Sequence, residues 1–423
     1  MSRVKKTGKP DAQKGIPPEL RRNGERIPLR HLVAIGLIAG VALLAYSNTF
    51  NVPFHFDDLP NILNNPLVHI RTLTWDRLER LVRVTYGETI RVFSMLTFAF
   101  NFYFGDTDVF GYHLVNIIIH IFSGIFLYWL LMVTFNLPHL KDKYGSISYG
   151  AALFASLIFI SHPIQTQSVT YIVQRMASMA GMFYLLCMVL YVKGRLSTGT
   201  SRFVYFGGLV FCYLLGVFSK ENVAILPVFL ALYEFYFFQN LDLSPRGWKV
   251  VFGMVGVLLV LGAIGFALWG ERYIQDTIRV YGTRNFTMSE RVLTQFRVVL
   301  YYVTLLIYPH PSRLNLDYDF PISKTILDPP TTLISVLIVA GLIGYSIWTA
   351  KKRPMISFWI LWYFGNLVIE SSIFPLELVY EHRLYLPVAG PFVLFSLLVL
   401  RGLERLKQRS ASAKPVAGSR GFT

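Results

Sequence analysis

Long apolar stretches without Asp, Glu, Lys or Arg recur along the chain, separated by short polar segments. A helix needs about 20 apolar residues to cross a bilayer core. The charge-free stretches are residues 32–50, 109–140, 144–174, 176–192, 203–219, 250–270, 329–350 and 384–400. Two weaker stretches are 222–241, which contains Glu234, and 355–369. The pattern predicts an all-α polytopic membrane protein with about ten transmembrane helices.

Three further segments are apolar but do not fit a full crossing. Residues 92–105 would reach only about 21 Å as a helix, against a core of about 30 Å. Residues 298–308 are shorter still and stop at a Pro-His-Pro sequence. Both are predicted to be juxtamembrane or partly embedded helices. In residues 71–83, apolar side chains recur at helical spacing with arginines between them, which predicts an amphipathic helix at the membrane interface.

Composition supports the membrane interpretation. Of the 423 residues, 54% are apolar and only 15% are charged, whereas globular proteins carry about 25% charged residues. This excludes a disordered chain, a coiled coil and an ordinary cytosolic enzyme. The two cysteines, Cys187 and Cys212, lie inside apolar runs, so no disulfide framework or cysteine-rich metal site is expected.

The net charge of +16 lies mainly in two tails: +6 in residues 1–30 and +5 in residues 401–423. Because Lys and Arg flanking apolar spans mark the cytoplasmic side, both termini are predicted to be cytoplasmic. The predicted organisation is a basic tail (1–30), a membrane domain (31–402) and a second basic tail (403–423). Within the membrane domain, 51–108 and 271–328 are the large outer segments. We expect a prokaryotic plasma membrane, with the endoplasmic reticulum as the alternative.

Several basic residues are predicted where the outer side meets a span, against the usual charge bias. They are Arg91, Arg175, Lys220, His382 and Arg383, of which the last two belong to the triplet Glu381-His382-Arg383. Arginine is suited to bidentate phosphate binding. Each residue alone is better explained by contact with lipid headgroups. Together on one predicted side, they favour an anion-binding pocket.

Two adjacent carboxylates, Asp57 and Asp58, directly follow the first span among aromatic residues. Low-dielectric surroundings raise a carboxylate pKa, and a base that accepts a proton from a hydroxyl would suit this position. The alternative is that the pair caps a helix or starts a turn before Pro60.

Two other groups could bind a metal. His113, Asn116 and His120 share one helix face, but a metal site would need further ligands, and hydrogen bonding between helices is favoured. The motif Asp317-Tyr318-Asp319 is similar to an Asp-x-Asp metal motif, yet it is predicted outside, where nucleotide sugars are scarce. It is interpreted as a loop element that contacts the acceptor or has a structural role. A divalent metal is thus compatible with the sequence but not required by it.

A series of short motifs resembles the membrane part of C-type (GT-C) glycosyltransferases, in particular the transmembrane and tetratricopeptide-repeat O-mannosyltransferases and their bacterial relatives. Each motif is weak alone, but their order and spacing over residues 30–400 are specific. The motifs begin at Phe56-Asp57-Asp58, Arg91, Gly111-Tyr112-His113, His162-Pro163, Ser219-Lys220-Glu221, Leu314 and Glu381-His382-Arg383.

The resemblance implies an inverting glycosyltransferase that takes a sugar from a polyprenyl-phosphate carrier. The acceptor would be a hydroxyl of a protein or envelope glycan on the outer side of the membrane. Asp57 and Asp58 become the catalytic pair. The implied lipid-phosphate site consists of Arg91, Arg175, Lys220, His382 and Arg383. The possible supporting residues are His113, Glu381, Asp317 and Asp319.

The chain departs from the family pattern at two places. Relatives usually have proline after the arginine at position 91, where this chain has Val92. No tetratricopeptide repeat fits in the 23 residues after Leu400, since one repeat takes 34 residues. An accessory protein is therefore expected to supply acceptor recognition.

Two alternative functions remain open at this point. One is an oligosaccharyltransferase that uses a polyprenyl-diphosphate glycan. The other is a lipid or solute transporter, which would favour inverted repeats and charges near the membrane centre. The charges here are predicted at the outer boundary, which favours an enzyme acting at the membrane surface.

Overall fold

The computed structural model describes residues 28–242 and 277–412, with scattered positions between them. Most of the first basic tail, the end of the second and most of the predicted span 250–270 lie outside the described residues. Within the described part, the regular secondary structure is helical and contains no strand. The all-α prediction is therefore confirmed.

The helices are numbered here in chain order over the described residues. They are α1 (Leu29–Ala45), α2 (Trp75–Glu88), α3 (Val92–Gly105), α4 (Val109–Phe135), α5 (Pro138–Tyr144), α6 (Ser148–Ser161), α7 (Thr166–Val169), α8 (Arg175–Leu196), α9 (Thr200–Val217), α10 (Leu226–Tyr233), α11 (Met288–Ile307), α12 (Thr331–Thr349), α13 (Pro354–Leu367) and α14 (Ala389–Ser412). Short single-turn helices include Pro163–Gln165, Ile172–Gln174, Glu221–Ile225 and Glu381–Leu384.

Six helical stretches in the described part are long and apolar enough to cross a membrane. They are Val109–Phe135, Pro138–Ser161, Ile172–Leu196, Thr200–Val217, Glu221–Phe238 and Thr331–Thr349. Two shorter apolar helices, α1 and α3, accompany them. The chain is a multi-pass membrane protein. Ten crossings were predicted, and within the described residues only six helical stretches are long enough to cross a membrane. Part of the difference is that α1 and α13 have only 17 and 14 residues.

Close helix packing in the core depends on small residues. A Cβ on Gly124 of α4 would lie 2.6 Å from the side chain of Ile160 in α6. A Cβ on Gly390 of α14 would lie 2.5 Å from the carbonyl oxygen of Trp359 in α13. Both distances are shorter than van der Waals contact, so larger residues would push these helices apart. Such close approach is typical of helix interfaces in membranes.

The segment predicted as a short helix over 298–308 is instead the second half of α11, which has 20 residues. The prediction was wrong because it required a charge-free stretch, whereas the helix begins with charged residues. Thr287 and Glu290 form a capping box that starts the helix, satisfying backbone N–H groups of its first turn. Arg291, one residue further on, is fully buried.

The helix bundle has two chemically different ends. At the first, which we call the basic end, the Tyr149 hydroxyl donates to the Arg30 carbonyl at 3.0 Å, and the Arg401 guanidinium lies 4.2 Å from the Tyr144 ring centroid. The other end, which we call the loop end, gathers the segments 46–74, 162–174, 218–225 and 368–388. The residues with candidate chemistry meet there.

Candidate active site

Asp58 anchors the first segment of the loop end to the turn that precedes α8. Its side chain is fully buried. One carboxylate oxygen accepts from the Val173 backbone N–H at 2.7 Å, and the other accepts from the His55 backbone N–H at 3.2 Å. Burial raises the pKa of Asp58 to about 6, although these hydrogen bonds oppose the shift. This carboxyl therefore acts first as a local scaffold.

Asp57 has the opposite surroundings. Its residue is exposed, while its backbone N–H donates to the Tyr171 hydroxyl at 2.7 Å. The preceding Phe56 adopts a positive φ of 45°, which turns the chain sharply before the pair. The Tyr171 ring in turn stacks on His55, with centroids 4.6 Å apart. A fixed backbone thus presents an accessible carboxylate at the surface of the loop end.

The start of α3 is tied to the end of α9. The Phe93 N–H donates to the Phe218 carbonyl at 2.9 Å, and the Ser94 hydroxyl donates to the Ser219 carbonyl at 3.0 Å. These two bonds bring Arg91, just before α3, next to Lys220, just after α9, although 129 residues separate them in the sequence.

Each of these two cations has a carboxylate partner. Arg91 Nε lies 3.1 Å from both carboxylate oxygens of Glu221. Lys220 Nζ lies 2.6 Å from Glu370 Oε1, with both side chains almost completely buried. Burial lowers the pKa of Lys220, and the charge of Glu370 opposes that shift. Burial alone would raise the pKa of Glu370, but Lys220 and other nearby cations lower it overall. The pair is therefore best described as ionised.

Helix α11 holds the segment that carries Glu370. The guanidinium of Arg291 donates to three backbone carbonyls of this segment: Glu370 at 2.8 Å, Leu376 at 3.1 Å, and Ser372. Because a rigid fork of donors fixes three carbonyls at once, the segment has a defined path as it approaches residues 380–383.

His382 is a buried, neutral member of the group. Its backbone N–H donates to Gln167 Oε1 at 2.7 Å, and its Nδ1 lies 2.9 Å from the same oxygen, so Nδ1 carries the proton. Burial lowers the pKa of this ring well below its usual value, and nearby cations lower it further. These cations are Lys220, Arg383 and Arg91, so all three lie near the His382 ring.

Tyr380 connects this cation cluster with the first loop. The Arg383 guanidinium lies 5.3 Å from the Tyr380 ring centroid. Burial raises the pKa of Tyr380; the charges of Glu377, Asp57 and Asp317 add to the rise, and that of Arg383 opposes it. Asp57, Arg383 and Asp317 therefore surround one tyrosine, although they come from three distant segments.

Arg175 does not join this cluster. It is fully buried, and its guanidinium donates to Asn116 Oδ1 at 2.7 Å, to the Tyr112 carbonyl at 2.9 Å and to Thr97 Oγ1 at 3.2 Å. It also lies 4.6 Å from the Phe98 ring centroid. These contacts occupy its donors, so in this conformation it fixes α8 against α4 and α3.

The polar face of α4 makes hydrogen bonds to other segments. His113 Nε2 bonds to the Val52 carbonyl at 2.8 Å, and Asn116 Nδ2 donates to the Val169 carbonyl at 3.1 Å. His120 bonds to the Tyr385 hydroxyl at 2.9 Å. This is the arrangement that the spacing favoured over a metal site. Within the described residues, no group of three or more His, Cys, Asp or Glu side chains is placed to hold a metal ion.

The remaining predicted residues lie on one side of the cluster. Glu381 is buried and forms hydrogen bonds with the segment that contains Asp317 and Asp319. Both aspartates are exposed. Both therefore lie at the surface, in the segment that binds Glu381.

Sequence analysis assigned no role to Glu221 or Tyr380. Glu221 matters because it pairs with Arg91. Tyr380 matters because charges from three segments of the chain lie near it. Neither feature has a local signal, since each depends on which distant segments the fold brings together. The only available hint was that Glu221 directly follows Lys220.

Some buried polar atoms near the cluster have no hydrogen-bond partner within the described part of the chain: Gln167 Nε2, Asn222 Oδ1, Glu370 Oε2 and Ser371 Oγ. A buried polar group without a partner is costly. Together with the cations, these atoms suit this region to a polar, anionic ligand.

Fold and site together define a class: an all-α multi-pass membrane protein with a cation cluster and an accessible carboxylate at one end. Comparison with known proteins then points to a family. The chain is 24% identical over 468 residues to Protein O-mannosyl-transferase Tmtc3 of Drosophila melanogaster, covering 94% of this chain and 49% of that protein. It is 30% identical over 326 residues to Protein O-mannosyl-transferase tmtc2 of Xenopus laevis, covering 70% and 37%. It is 24% identical over 432 residues to Protein O-mannosyl-transferase TMTC4 of Mus musculus, covering 90% and 57%.

The resemblance to the membrane part of these GT-C proteins is confirmed over most of the chain. The chain spans about half the length of these curated relatives, between 37% and 57%. No family model matches the chain, and no solved structure matches it.

Proposed function

We propose that this chain is an inverting glycosyltransferase that moves a sugar from a polyprenyl-phosphate carrier to a hydroxyl of a protein on the outer side of the membrane. The names of its relatives, protein O-mannosyl-transferases, support a sugar transferase with a protein acceptor. The loop end supplies the groups that this reaction needs.

The observation that carries the proposal is the charge of the cluster. It contains three cations, Arg91, Lys220 and Arg383, and two carboxylates, Glu221 and Glu370. With all five ionised, the cations outnumber the carboxylates by one, and buried Arg291 adds a further positive charge close to Arg383. This excess of positive charge suits the phosphate of a lipid-linked sugar donor. The choice of a monophosphate donor over the diphosphate-linked glycan of an oligosaccharyltransferase rests on the resemblance to the O-mannosyltransferases.

In the proposed reaction, Asp57 is the base. The acceptor hydroxyl gives its proton to Asp57 while its oxygen forms a bond to the anomeric carbon of the sugar. The bond between that carbon and the phosphate oxygen breaks, and its electron pair stays on the phosphate. Arg383, Lys220 and Arg91 stabilise the charge that develops there. Asp58 keeps the turn in place through Val173, so the two aspartates have different roles.

The proposed orientation rests on the basic end. Contacts of Arg30 and Arg401 gather at the end opposite the aspartates. Because Lys and Arg flanking membrane spans mark the cytoplasmic side, the basic end would face the cytoplasm. Asp57 and the cation cluster would then face outward. We further propose that an accessory protein helps to present the acceptor.

The test is Asp57→Asn, which removes the base and keeps the shape. Transfer from a radiolabelled polyprenyl-phosphate sugar to acceptor protein is measured in vesicles containing purified protein. We expect transfer to fall at least about 100-fold, the usual effect of losing a general base, with donor binding unchanged. Asp76→Asn, at an exposed carboxylate of α2, is the matched control and should keep full activity. Undiminished transfer by Asp57→Asn would refute the role of Asp57.

A further inference from the structure

The buried carboxyl of Glu381 binds the segment 311–320 and holds it against the site. Glu381 Oε1 accepts from the Asn315 backbone N–H at 2.8 Å, and the Tyr318 hydroxyl lies 2.5 Å from the same oxygen. Glu381 is almost completely buried. Since Asp317 lies between Asn315 and Tyr318 in sequence, this contact also fixes the position of Asp317.

The number of hydrogens available around the Tyr318 hydroxyl bears on whether Glu381 is protonated. Its hydroxyl oxygen lies 2.5 Å from Glu381 Oε1 and 2.9 Å from the Arg313 carbonyl oxygen. If Glu381 is ionised, both neighbours are pure acceptors, but a tyrosine hydroxyl has one hydrogen to donate. The Asn315 N–H, at 3.3 Å, donates to the hydroxyl oxygen and adds no hydrogen for either acceptor. A protonated Glu381 supplies the second hydrogen, so that both contacts of the Tyr318 hydroxyl become hydrogen bonds.

We propose that a protonated Glu381 donates a hydrogen bond to the Tyr318 hydroxyl, which donates to the Arg313 carbonyl. This series of hydrogen bonds is a clasp that positions Asp317 at the site and loosens when Glu381 loses its proton. Glu381 and Tyr318 are positioning residues in this proposal, because neither is placed to react with substrate. The consequence for catalysis rests on the proposed function, but the clasp itself does not.

The surroundings of Glu381 agree with this assignment. Burial raises the pKa of Glu381 to about 7, with the hydrogen bonds from Tyr318 and Asn315 opposing the shift. Burial and the nearby charge of Glu381 raise the pKa of Tyr318, so this hydroxyl stays protonated. The charged and titratable groups around Glu381 include Tyr318, Arg313, Asp317 and Asp319 on the closing segment, Tyr301 on α11, and Tyr380, His382 and Arg383 beside Glu381. Glu377 and Asp57 also lie close enough to Tyr380 to affect its pKa.

The direction of the pH effect follows from linkage. The closed clasp holds the proton with a pKa of about 7, compared with 4.5 for an open, solvated Glu381. Closure is therefore strongest below pH 4.5, weakens as pH rises from 4.5 to about 7, and is constant and weaker above that. Within this window, the closing equilibrium should fall by up to about tenfold per pH unit.

The test is hydrogen exchange of the 311–320 amides in the full chain without substrate, read by mass spectrometry over about pH 5 to 8. After correction for intrinsic exchange, we expect protection to fall with pH and then level off. In Glu381→Gln, protection should be independent of pH, because the titrating group is gone. In Tyr318→Phe, protection should be low throughout. Glu377→Gln, at a carboxylate that pairs with Arg284 nearby, is the matched control and should keep the wild-type pH dependence.

Two results would overturn the clasp: wild-type protection that does not change with pH, or an unchanged pH dependence in Glu381→Gln. The sugar-transfer assay gives a separate readout, in which Glu381→Gln should flatten the pH profile of KM for the acceptor. If exchange behaves as expected while no sugar transfer is found in any variant, the clasp stands and the proposed function fails.

Discussion

At the scale of single residues, neighbouring side chains of the same type have different tasks. Asp58 is buried and bonded to two backbone N–H groups, whereas Asp57 is accessible and borders Tyr380 with Arg383. Similarly, Arg175 is enclosed by α4 and α3, while Arg383 contributes to the cation cluster. The chemistry of the site depends on burial and partners more than on residue type.

The distinct role of Asp58 gives a stability prediction. Because the folded state binds its proton more tightly than the unfolded chain does, Asp58 makes the fold less stable as pH rises from 3.8 to about 6. Asp58→Asn keeps an acceptor for the Val173 N–H, so it should fold and lose this pH dependence. Asp58→Ala leaves that N–H unpaired and should cost about 1–3 kcal/mol. Thermal unfolding in detergent measures both.

Sugar transfer provides the contrasting readout for the same position. Asp58→Asn should retain much of the transfer activity that Asp57→Asn loses. If Asp58→Asn is as inactive as Asp57→Asn while remaining fully folded, the base is shared or is Asp58 itself.

Residue types and motif order selected Asp57, Lys220 and Arg383 as candidates, and the fold brings all three to the loop end. They could not distinguish Arg175 from the others, because its partners Asn116, Thr97 and the Tyr112 carbonyl come from other helices. The pairing of Arg91 with Glu221 was hidden for the same reason.

At the scale of elements, the geometry of the site depends on helices that bind its segments without contributing reactive groups. Helix α11 is the clearest case, since its Arg291 binds three carbonyls of the segment after α13. That segment supplies Glu370 and then leads to Arg383. A helix that contributes no proposed catalytic group therefore determines where the cations lie.

Arg291→Met should show this dependence. It leaves three carbonyls without their donor and should destabilise the protein by about 2–4 kcal/mol. It should also weaken donor binding, because Glu370 and Arg383 lose their fixed positions. Arg297→Met, on the same helix but nearer the surface, is the control and should have a smaller effect in thermal unfolding and donor titration. Equal effects of the two substitutions would argue against a special role for Arg291.

Apolar patterning predicted some elements closely and missed others. The predicted helix over 92–105 corresponds to α3 (Val92–Gly105), since its ends coincide with charged residues. The start of α11 was missed because charges inside a helix are tolerated where they bind other segments of the chain, as Arg291 does. Patterning detects exposure to lipid, not internal partners.

At the scale of the whole molecule, charge divides the bundle into a basic end and a loop end. The proposed orientation, with the loop end outside, predicts labelling by a membrane-impermeant maleimide in intact cells. In a background with Cys187 and Cys212 replaced by alanine, Arg77→Cys on α2 should be labelled. Lys407→Cys on α14 should be labelled only after permeabilisation. The reverse pattern would invert the topology and the proposed side of the reaction.

The most direct test of the central claim is a donor competition in vesicles that contain the purified protein and an acceptor protein. Equal amounts of polyprenyl-phosphate hexose and polyprenyl-diphosphate oligosaccharide are offered together, and mass spectrometry follows both lipids and the acceptor. The proposed function predicts that only the monophosphate donor is consumed, with one hexose added to the acceptor. Consumption of the diphosphate donor, or of neither, would contradict the account.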